Sequence, residues 1–412
     1  MPCYLCFLSR IRFNEGMKSL RVCIISHEFP PYTHYGGIGS SCSDLVSSLS
    51  KEGVEVSIIC GGVVLSEAKL NDNVTVVTLP SSFFAPRLSF ALSVARRASV
   101  VLSLVDHADV VHFFSSIGPL TGWIKKKTRK PVVSSLHGVP LRNLRSFLSS
   151  PFSSWTSGDV ASDLLEYPLS HIFVKKTLCD SDHIIVPSFH TLGDVLASYN
   201  LPLDNFSLIP NGVDFNMPLF QSSPDSKERD ESNSICYCGR LTWVKGVTFL
   251  IKAYSILAEK VDDVNLKIIG WGPMGSHLKK IVSYAGIGDS VHFLGNVSRK
   301  KAIQEMRNSS FFVLPSLNEN GPVAAYEAMA LGKPVIAFDF PFAREFIRNN
   351  YNGLLAKPFD VEDLSDKMLT LSTAKDITAK LGKNAYTYAI KNHNWSTNVK
   401  KYMSIYRKLT EL

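Results

Sequence analysis

Residues 311–338 read FFVLPSLNENGPVAAYEAMALGKPVIAF, and this stretch decides the predicted fold. Two short apolar runs, Phe311–Leu314 and Val335–Phe338, enclose a segment with helical spacing over Ala324–Leu331. Both runs are apolar at every position, which is typical of strands that are buried on both faces of a sheet. A strand, a helix and a second strand in this order predict two parallel strands with the crossover helix packed on them.

The same pattern recurs along the rest of the chain. It predicts further strands at Val22–Ser26, Val54–Cys60, Val74–Leu79, Val110–Phe113, Val132–Leu136, His183–Val186, Ile235–Cys238, Leu266–Ile269 and Val291–Leu294. It predicts intervening helices at Ser43–Glu52, Asp163–Leu178 and Val247–Glu259. Apolar strands separated by helices are typical of parallel sheets with helices on both faces.

A polar stretch divides the strands into two series. Residues 221–233 contain one proline and no apolar residue, which indicates a linker or a surface loop. The sequence therefore predicts an α/β protein with two Rossmann-like, doubly wound parallel-sheet domains that face each other across a cleft. The predicted segments are an N-terminal extension (1–16), a first domain (17–214), a linker (215–233), a second domain (234–390) and a C-terminal helical segment (391–412) that packs back on the first domain.

The composition limits the class of protein. The 412 residues carry 44 Lys and Arg against 36 Asp and Glu, and the net charge of +8 is too small by itself to indicate a nucleic-acid-binding protein. Cysteines in apolar runs, such as Cys23 and Cys60, indicate reduced thiols and hence a cytoplasmic protein. Arg96 and Arg97 divide the apolar stretch Ser89–Val105, so we expect no membrane-spanning helix, and we expect no signal peptide.

Ligands of open parallel sheets bind beyond the carboxyl ends of the strands. The first predicted strand is followed by Gly36, Gly37 and Gly39 at the start of a helix. Glycines there allow backbone amides to approach a phosphate, which the helix dipole also favours. An ordinary flexible loop is the alternative. A dinucleotide-binding fingerprint matches less well, because Cys42 stands where the third glycine belongs.

Later loops supply a histidine and two cations. His137 follows a predicted strand and is a candidate to face the cleft, whereas a capping or core histidine is the alternative. Arg240 and Lys245 follow the first strand of the second series, and Lys245 stands at the start of a helix. Two cations and a helix dipole at one strand end suit a diphosphate, and two ordinary surface cations are the alternative.

Two carboxylates follow the first strand of the quoted stretch. Glu319 lies in the loop and Glu327 in the helix, where we expect unpaired acceptors for the vicinal hydroxyls of a sugar or a ribose. Taken singly, each acid is more often a solvated surface residue. Other acidic pairs precede strands, at the opposite end of the sheet, so we expect no required metal: Asp180 and Asp182, and Asp262 and Asp263.

In this order, these residues resemble the retaining glycosyltransferases of family 4, which have the two-domain GT-B fold. The resemblance extends from about Leu20 to Leu409. The motifs that carry it are Glu28-Phe-Pro-Pro, Gly36-Gly37-Ile38-Gly39, Gly239-Arg240 with Lys245-Gly246, and Glu319, seven residues and Glu327, followed by Ala-Met-Ala-Leu-Gly-Lys-Pro-Val. Asn320 departs from the family pattern, which leaves the donor-sugar preference open.

The resemblance implies a role for each matched position. Arg240 and Lys245 neutralise the leaving diphosphate. His137 and Glu319 contact the donor sugar, and Glu327 binds the ribose. The other implied substrate-binding residues are Gly36, Gly37, Val297, Gly321, Pro322 and Val323, of which Val297 touches the base.

The resemblance also implies the reaction. A hexosyl group moves from a nucleotide-sugar, such as a UDP- or GDP-sugar, to a hydroxyl of a glycan or lipid-linked acceptor, with retention of the anomeric configuration. No metal or other cofactor takes part, and the product belongs to cell-surface polysaccharide or glycolipid synthesis. Two alternatives stay open: a GT-B nucleotide-sugar epimerase, which needs no acceptor, and a non-catalytic nucleotide-sugar-binding protein.

One basic segment indicates a candidate partner. Residues 87–145 carry ten Lys and Arg against two Asp, and the aromatic residues among or beside them are Phe83, Phe84, Phe90 and Trp123. Basic residues interleaved with aromatic ones suit an anionic membrane surface, whereas a solvated helix face is the alternative. Without a recognised nucleic-acid-binding motif, we expect no nucleic-acid partner. We therefore predict a cytoplasmic protein that binds peripherally to the cytoplasmic face of the membrane.

Overall fold

A computed structural model describes residues 20–33, 36–82, 86–140, 169–221 and 233–411 of the chain. Several predicted features lie outside these residues: the extension 1–16, residues 222–232 of the linker, the start of the helix predicted from Asp163, and Phe83, Phe84, Arg142 and Arg145. The described residues form two sheets, one in each half of the chain.

The first sheet has eight strands in the order β3-β4-β2-β1-β5-β6-β7-β8. The strands are β1 (Arg21–Ser26), β2 (Glu55–Gly62), β3 (Ser66–Asn71), β4 (Val74–Pro80), β5 (Val110–Phe113), β6 (Val132–Ser135), β7 (His183–Val186) and β8 (Phe206–Leu208). The helices between them are α1 (Gly37–Lys51), α2 (Pro86–Arg96), α3 (Ala98–His107), α4 (Pro119–Thr128), α5 (residues 169–179) and α6 (Phe189–Tyr199). Every neighbouring pair is parallel except β3 and β4.

The second sheet has six parallel strands in the order β11-β10-β9-β12-β13-β14. The strands are β9 (Ser234–Cys238), β10 (Asn265–Ile269), β11 (Val291–Gly295), β12 (Phe311–Leu314), β13 (Val335–Phe338) and β14 (Gly353–Ala356). The helices are α7 (Val247–Ala258), α8 (Gly275–Tyr284), α9 (Arg299–Arg307), α10 (Val323–Ala330), α11 (Pro341–Arg344), α12 (Val361–Thr373), α13 (Lys375–Asn392) and α14 (Trp395–Thr410).

Both faces of the central strands are buried, as the continuous apolar runs predict. Val22 and Ile24 of β1 belong to one hydrophobic core, and Cys23 and Ile25 belong to the core on the opposite face. Strand β9 alternates in the same way between the two cores of the second sheet. The prediction of two doubly wound parallel-sheet domains is therefore confirmed.

Strand β3 is the clearest difference from the predicted elements. Its six residues, SEAKLN, are mostly exposed, and β4 is its only partner among the described strands. A polar edge strand held by backbone hydrogen bonds has no apolar run that could reveal it. Strands β8 and β14 and helices α12 and α13 are also absent from the predicted elements.

The last helix, α14, returns to the first domain. Trp395, Tyr402 and Tyr406 are buried in the core of the first sheet, on the side covered by α1. Phe220 is buried in the core of the second sheet, although it lies within the stretch predicted as a linker. The apolar contacts of the second domain therefore begin before residue 221.

Within the described ranges, no single helix is both long enough and apolar enough to cross a membrane. Helices α2 and α3 meet these criteria only when taken together, and the pair is bent by 84°. The bend falls at Arg97, where charge divides the apolar stretch.

His112 connects α14 to the first sheet. It lies in β5 with Nδ1 2.7 Å from the Tyr406 hydroxyl and Nε2 2.8 Å from the Ser135 hydroxyl. Burial, with a smaller contribution from the neighbouring His137, lowers the pKa of His112 to about 3. The imidazole is therefore neutral in the folded protein at pH 7.

Replacing His112 with glutamine should make folding less sensitive to acid. An unfolded histidine has a pKa of about 6.5, so between this value and about 3 the unfolded state binds one more proton than the folded state. Below about pH 6, each further decrease of one pH unit should lower the free energy of unfolding of the native protein by ~1.4 kcal/mol more than that of His112→Gln.

Denaturant titrations at several pH values measure this slope. The exposed His292 of β11 provides a control, because His292→Gln should retain the slope of the native protein. Parallel plots of unfolding free energy against pH for the native protein and His112→Gln would contradict the prediction.

Candidate active site

The first domain contributes the glycine-rich start of α1 to the cleft. A side chain on Gly36, the residue before the helix, would come within 2.7 Å of the Glu28 carboxylate. The Gly39 amide donates a hydrogen bond to that carboxylate, with 3.3 Å between N and Oε2. A side chain on Gly37 would meet no atom within 4 Å. Glu28 thus occupies part of the helix N-terminus that we predicted for a phosphate.

Glu28 brings negative charge to this edge of the cleft. His27 lies beside it, with Nε2 3.4 Å from the Glu28 carboxylate and Nδ1 2.5 Å from the Ser115 hydroxyl. Burial acts to raise the pKa of Glu28. The hydrogen bond and charge of His27, together with the charges of Arg240 and Arg87, lower this pKa by a larger amount, so the net shift is downward. Because Arg240 belongs to the second domain, part of this stabilisation acts across the cleft.

His137 lies in the loop after β6, at the carboxyl edge of the first sheet. Its ring packs on Phe114 with centroids 4.4 Å apart, and its Nε2 is buried with no hydrogen-bond partner among the described residues. Burial lowers the pKa of His137 to about 4, so the ring is neutral at pH 7. A neutral imidazole can donate or accept a hydrogen bond to a ligand, but it contributes no positive charge.

Lys245 and Glu319 form an ion pair at the carboxyl ends of β9 and β12. Lys245 Nζ lies 2.6 Å from Glu319 Oε1, and the Ser316 hydroxyl donates to the same oxygen at 2.8 Å. Gly246 allows the two loops to meet, because it has a φ of +64° and a side chain there would overlap the carbonyl oxygen of Pro315. The structure therefore brings together two loops that each carry predicted site residues.

Glu327 is also paired, so our expectation of two unpaired carboxylates is wrong. Glu327 is buried in α10, and Arg299 contacts its Oε1 through Nε at 2.8 Å and Nη2 at 2.7 Å. The partners of Glu327 and Glu319 lie 28 and 74 residues away in the sequence. Strand-end loops bring these partners together, which spacing along one helix could not indicate.

The loop that carries Glu319 also contacts the first domain. Thr191 of α6 donates a hydrogen bond to the side-chain oxygen of Asn320 at 3.1 Å, and Asn211 donates to the Gly321 carbonyl at 3.0 Å. A side chain on Gly321 would come within 2.7 Å of the Asn211 amide nitrogen, so glycine permits this approach. The two domains therefore touch beside Glu319.

The N-terminus of α10 follows this loop. Pro322 precedes the helix without a side-chain hydrogen bond to it, and the first turn has no acidic residue. Proline has no N–H, so Gly321 and Val323 carry the adjacent backbone amides.

Arg240 is exposed and forms no ion pair within the part of the chain that the structure describes. Val297 packs against the core of the second sheet, beyond β11.

Three charged residues near these positions had no predicted role: Glu28, Asp44 and Arg299. Glu28 stands in the Glu28-Phe-Pro-Pro motif, which was a usable signal. Arg299 Nη1 lies 2.6 Å from Asp44 Oδ1, although the two residues are 255 positions apart. Neither residue belongs to a motif, so only assembly of the two domains reveals the pair.

Replacing Gly246 with alanine should destabilise the second domain more than the same change at Gly286. Both glycines have positive φ, which costs an alanine roughly 1–2 kcal/mol, but only Gly246 faces a backbone atom, at Pro315. Gly286 has no atom within 4 Å of its side-chain position and is the matched control. Equal losses of free energy of unfolding in the two variants, measured in denaturant, would contradict this prediction.

Two families match consecutive parts of the chain: Glycosyltransferase Family 4 over residues 35–216 and Glycosyl transferases group 1 over residues 220–388. An uncharacterised glycosyltransferase of Methanocaldococcus jannaschii is 31% identical over 268 residues, which cover 65% of this chain and 71% of that protein. Sucrose-phosphate synthase from Thermosynechococcus elongatus superposes with a TM-score of 0.75 at 19% identity, covering 95% of this chain and 99% of that one. HepE from Anabaena, solved with UDP and glucose, superposes with a TM-score of 0.71 at 18% identity, covering 95% and 100%.

The two matched regions meet between residues 216 and 220, and the first and second sheets lie on either side of that point. The structural similarities extend over both domains and establish the shared architecture. The chain therefore belongs to the glycosyltransferases of family 4, and its two parallel-sheet domains form the GT-B fold.

Proposed function

We propose that this glycosyltransferase moves a hexosyl group from a nucleoside-diphosphate sugar to an acceptor hydroxyl, with retention of the anomeric configuration. The observation that carries the proposal is the Lys245–Glu319 ion pair, which stands just before the N-terminus of α10. A cation, a carboxylate and a helix N-terminus in one place suit a ligand that joins a diphosphate to a sugar.

The departing diphosphate is the group that most needs stabilisation. The bond between the anomeric carbon and the phosphate oxygen breaks, and negative charge develops on that oxygen. Arg240, Lys245 and the N-terminus of α10 would stabilise this charge from fixed positions, with no metal required. Arg240 is exposed and is therefore accessible to a ligand in the cleft.

The sugar and the acceptor would meet between the domains. Glu319 accepts hydrogen bonds from sugar hydroxyls, and the neutral His137 offers its unbonded Nε2 to the same sugar. The acceptor oxygen bonds to the anomeric carbon on the face that the diphosphate leaves, and the acceptor proton passes to the departing phosphate oxygen. This route gives retention without a protein nucleophile.

Glu327 and Val297 would hold the nucleoside. The Glu327 carboxylate accepts hydrogen bonds from the ribose hydroxyls, and Val297 contacts the base. The complex of HepE with UDP and glucose supports a UDP-sugar as the donor, with a GDP-sugar as the alternative. We propose a glycan or lipid-linked acceptor, as in polysaccharide or glycolipid synthesis.

Turnover should depend strongly on Arg240 and Lys245. Purified protein is first tested for thermal stabilisation by UDP- and GDP-sugars, since a donor at ~100 times its dissociation constant stabilises a fold by ~2.7 kcal/mol. With the donor that binds, Arg240→Ala and Lys245→Ala should each lower kcat/KM about 10²- to 10³-fold, because each removes a charge aimed at the leaving group. Lys252→Ala, an exposed lysine of α7, is the matched control and should retain full activity.

Product analysis with a labelled donor separates the candidate functions. Transfer to an added acceptor, with the donor's anomeric configuration in the product and no loss of rate in chelator, agrees with the proposal. Release of free epimerised sugar indicates the epimerase. Binding of donor without turnover indicates a non-catalytic protein, and near-native rates in both cation variants would exclude their assigned role.

We also propose that the first domain binds an anionic membrane surface that presents the acceptor. Helices α2, α3 and α4 pack around a common core on one face of the first sheet, and α5 contacts that core through Phe173. Their exposed apolar side chains are Leu88, Leu92, Leu169 and Ile172, and their exposed cations include Arg87, Arg96, Lys126, Lys127 and Lys175. Exposed apolar residues beside cations are typical of membrane-binding surfaces.

Three details of the predicted surface require correction. Phe90 is fully buried in the core beneath α2, so it does not face a membrane. Lys125 lies 2.6 Å from Asp182, a carboxylate outside the basic segment, so its charge is already paired. Trp123 packs against the same core as Phe90. Among the described residues, the exposed leucines and isoleucine take the place of Phe90 and Trp123.

Sedimentation with lipid vesicles tests this surface. The protein should bind vesicles that contain phosphatidylglycerol more tightly than vesicles of phosphatidylcholine alone, and added salt should weaken binding. Lys126→Glu with Lys127→Glu should reduce binding, because each bound cation contributes roughly 1 kcal/mol. The control is Lys380→Glu with Lys383→Glu on α13 of the second domain, and equal recovery with both vesicle types at low salt would exclude membrane binding.

A further inference from the structure

Only one of the two oxygens of the Glu327 carboxylate is paired with a described residue. Both nitrogens of Arg299 that reach it contact the same oxygen, Oε1, at 2.8 and 2.7 Å. No described residue donates a hydrogen bond to Oε2. Oε2 is therefore the atom of this buried carboxylate that a ligand hydroxyl can use.

The other side of Arg299 reaches into the first domain. Its Nη1 and Nη2 lie 2.6 and 2.9 Å from the two carboxylate oxygens of Asp44, which is the two-pronged geometry that arginine favours. Asp44 is in α1, the helix whose glycine-rich start lines the cleft. One guanidinium thus bridges the two domains and connects Asp44 to Glu327.

The three charges do not balance. Two carboxylates, each only 7% exposed, share one guanidinium. Burial raises the pKa of both Asp44 and Glu327, although Arg299 opposes the shift. Burial acts to lower the pKa of Arg299, but the two carboxylates raise it overall, so Arg299 stays a cation. The cluster therefore places two buried carboxylates against a single guanidinium, beside Glu327 Oε2.

We infer that Asp44 is a positioning residue for the donor nucleotide, although it belongs to the opposite domain. By sharing the Arg299 guanidinium, Asp44 weakens the hold of Arg299 on Glu327 and makes Oε2 a stronger acceptor for the ribose hydroxyls. When the domains separate, Arg299 neutralises Glu327 alone, and Oε2 binds a hydroxyl less well. This inference rests on the proposed ribose-binding role of Glu327.

The same coupling acts in reverse. If contact between Asp44 and Arg299 strengthens nucleotide binding, a bound nucleotide must strengthen that contact by the same factor. The donor would thus favour the arrangement in which the two domains meet. The ion pair of Lys51 with Asp214, also on α1 and 2.5 Å long, does not reach Glu327.

Calorimetry with UDP, and with GDP in parallel, measures the effect in Asp44→Asn, Glu327→Gln and the double variant. Asp44→Asn should weaken nucleotide binding about fivefold or more, the lower limit of typical coupling between sites. In the Glu327→Gln background, Asp44→Asn should have no more than about a twofold effect, because the two residues act on one oxygen. Lys51→Met, on the same helix, is the matched control and should leave affinity unchanged.

Inorganic pyrophosphate is the second probe, because it has no ribose. Asp44→Asn should leave pyrophosphate affinity unchanged, whereas a general disturbance of the cleft would weaken both ligands. Asp44→Glu keeps the charge and should recover most of the UDP affinity. If Asp44→Asn does not fold, Arg299→Lys tests the same bridge: a point charge cannot span both carboxylates, so UDP binding should weaken and pyrophosphate binding should not.

The outcomes distinguish this inference from the proposed function. Native UDP affinity in Asp44→Asn, an equal loss in both backgrounds, or parallel losses for UDP and pyrophosphate would overturn the role of Asp44 while leaving the ribose role of Glu327 intact. Native affinity for both nucleotides in Glu327→Gln would overturn the ribose role itself and the inference with it.

Discussion

Each carboxylate removed from water at the domain interface needs a cation or an N–H donor, and this constraint determines how the two domains meet. Arg299 of the second domain reaches Asp44 of the first. In the other direction, Glu345 of the second domain accepts hydrogen bonds from the amides of Phe189 and His190, at 3.0 and 2.5 Å, at the N-terminus of α6. Removing one partner from a buried ion pair typically costs roughly 3–5 kcal/mol, so the pairing of Asp44 with Arg299 strongly favours one relative orientation of the domains.

The chain crosses between the domains twice, and a backbone bridge holds the two crossing segments next to each other. Val213, after β8, forms an isolated parallel bridge with Asn394, just before α14. Beyond that point, Trp395 and Tyr406 are buried in the core of the first sheet. Because the strands of each sheet are parallel apart from β3, their carboxyl ends lie at one edge, and the loops that carry the candidate site extend from those edges.

The cleft holds paired charges and a neutral histidine before any ligand arrives. Lys245 is already bonded to Glu319, and Arg299 to Glu327, so each group is held in place by its partner. Charges fixed in this way need little reorganisation when a reaction develops new charge nearby. The neutral His137 adds a hydrogen-bonding nitrogen without changing that balance of charge. Such a site suits a ligand that carries both anionic and hydroxyl groups.

The sequence by itself determined the order of the buried strands and their helices, because continuous apolar runs and helical spacing are local properties. Phe311–Leu314 and Val335–Phe338 are strands as predicted, and the spacing of Glu319 and Glu327, together with the motifs around it, indicated the family. Only the tertiary structure decided the partners of these carboxylates, the edge strand β3, and the bridge from Asp44 to Arg299. The bridge joins side chains 255 residues apart in different domains, and no local pattern records which charges two folded surfaces bring together.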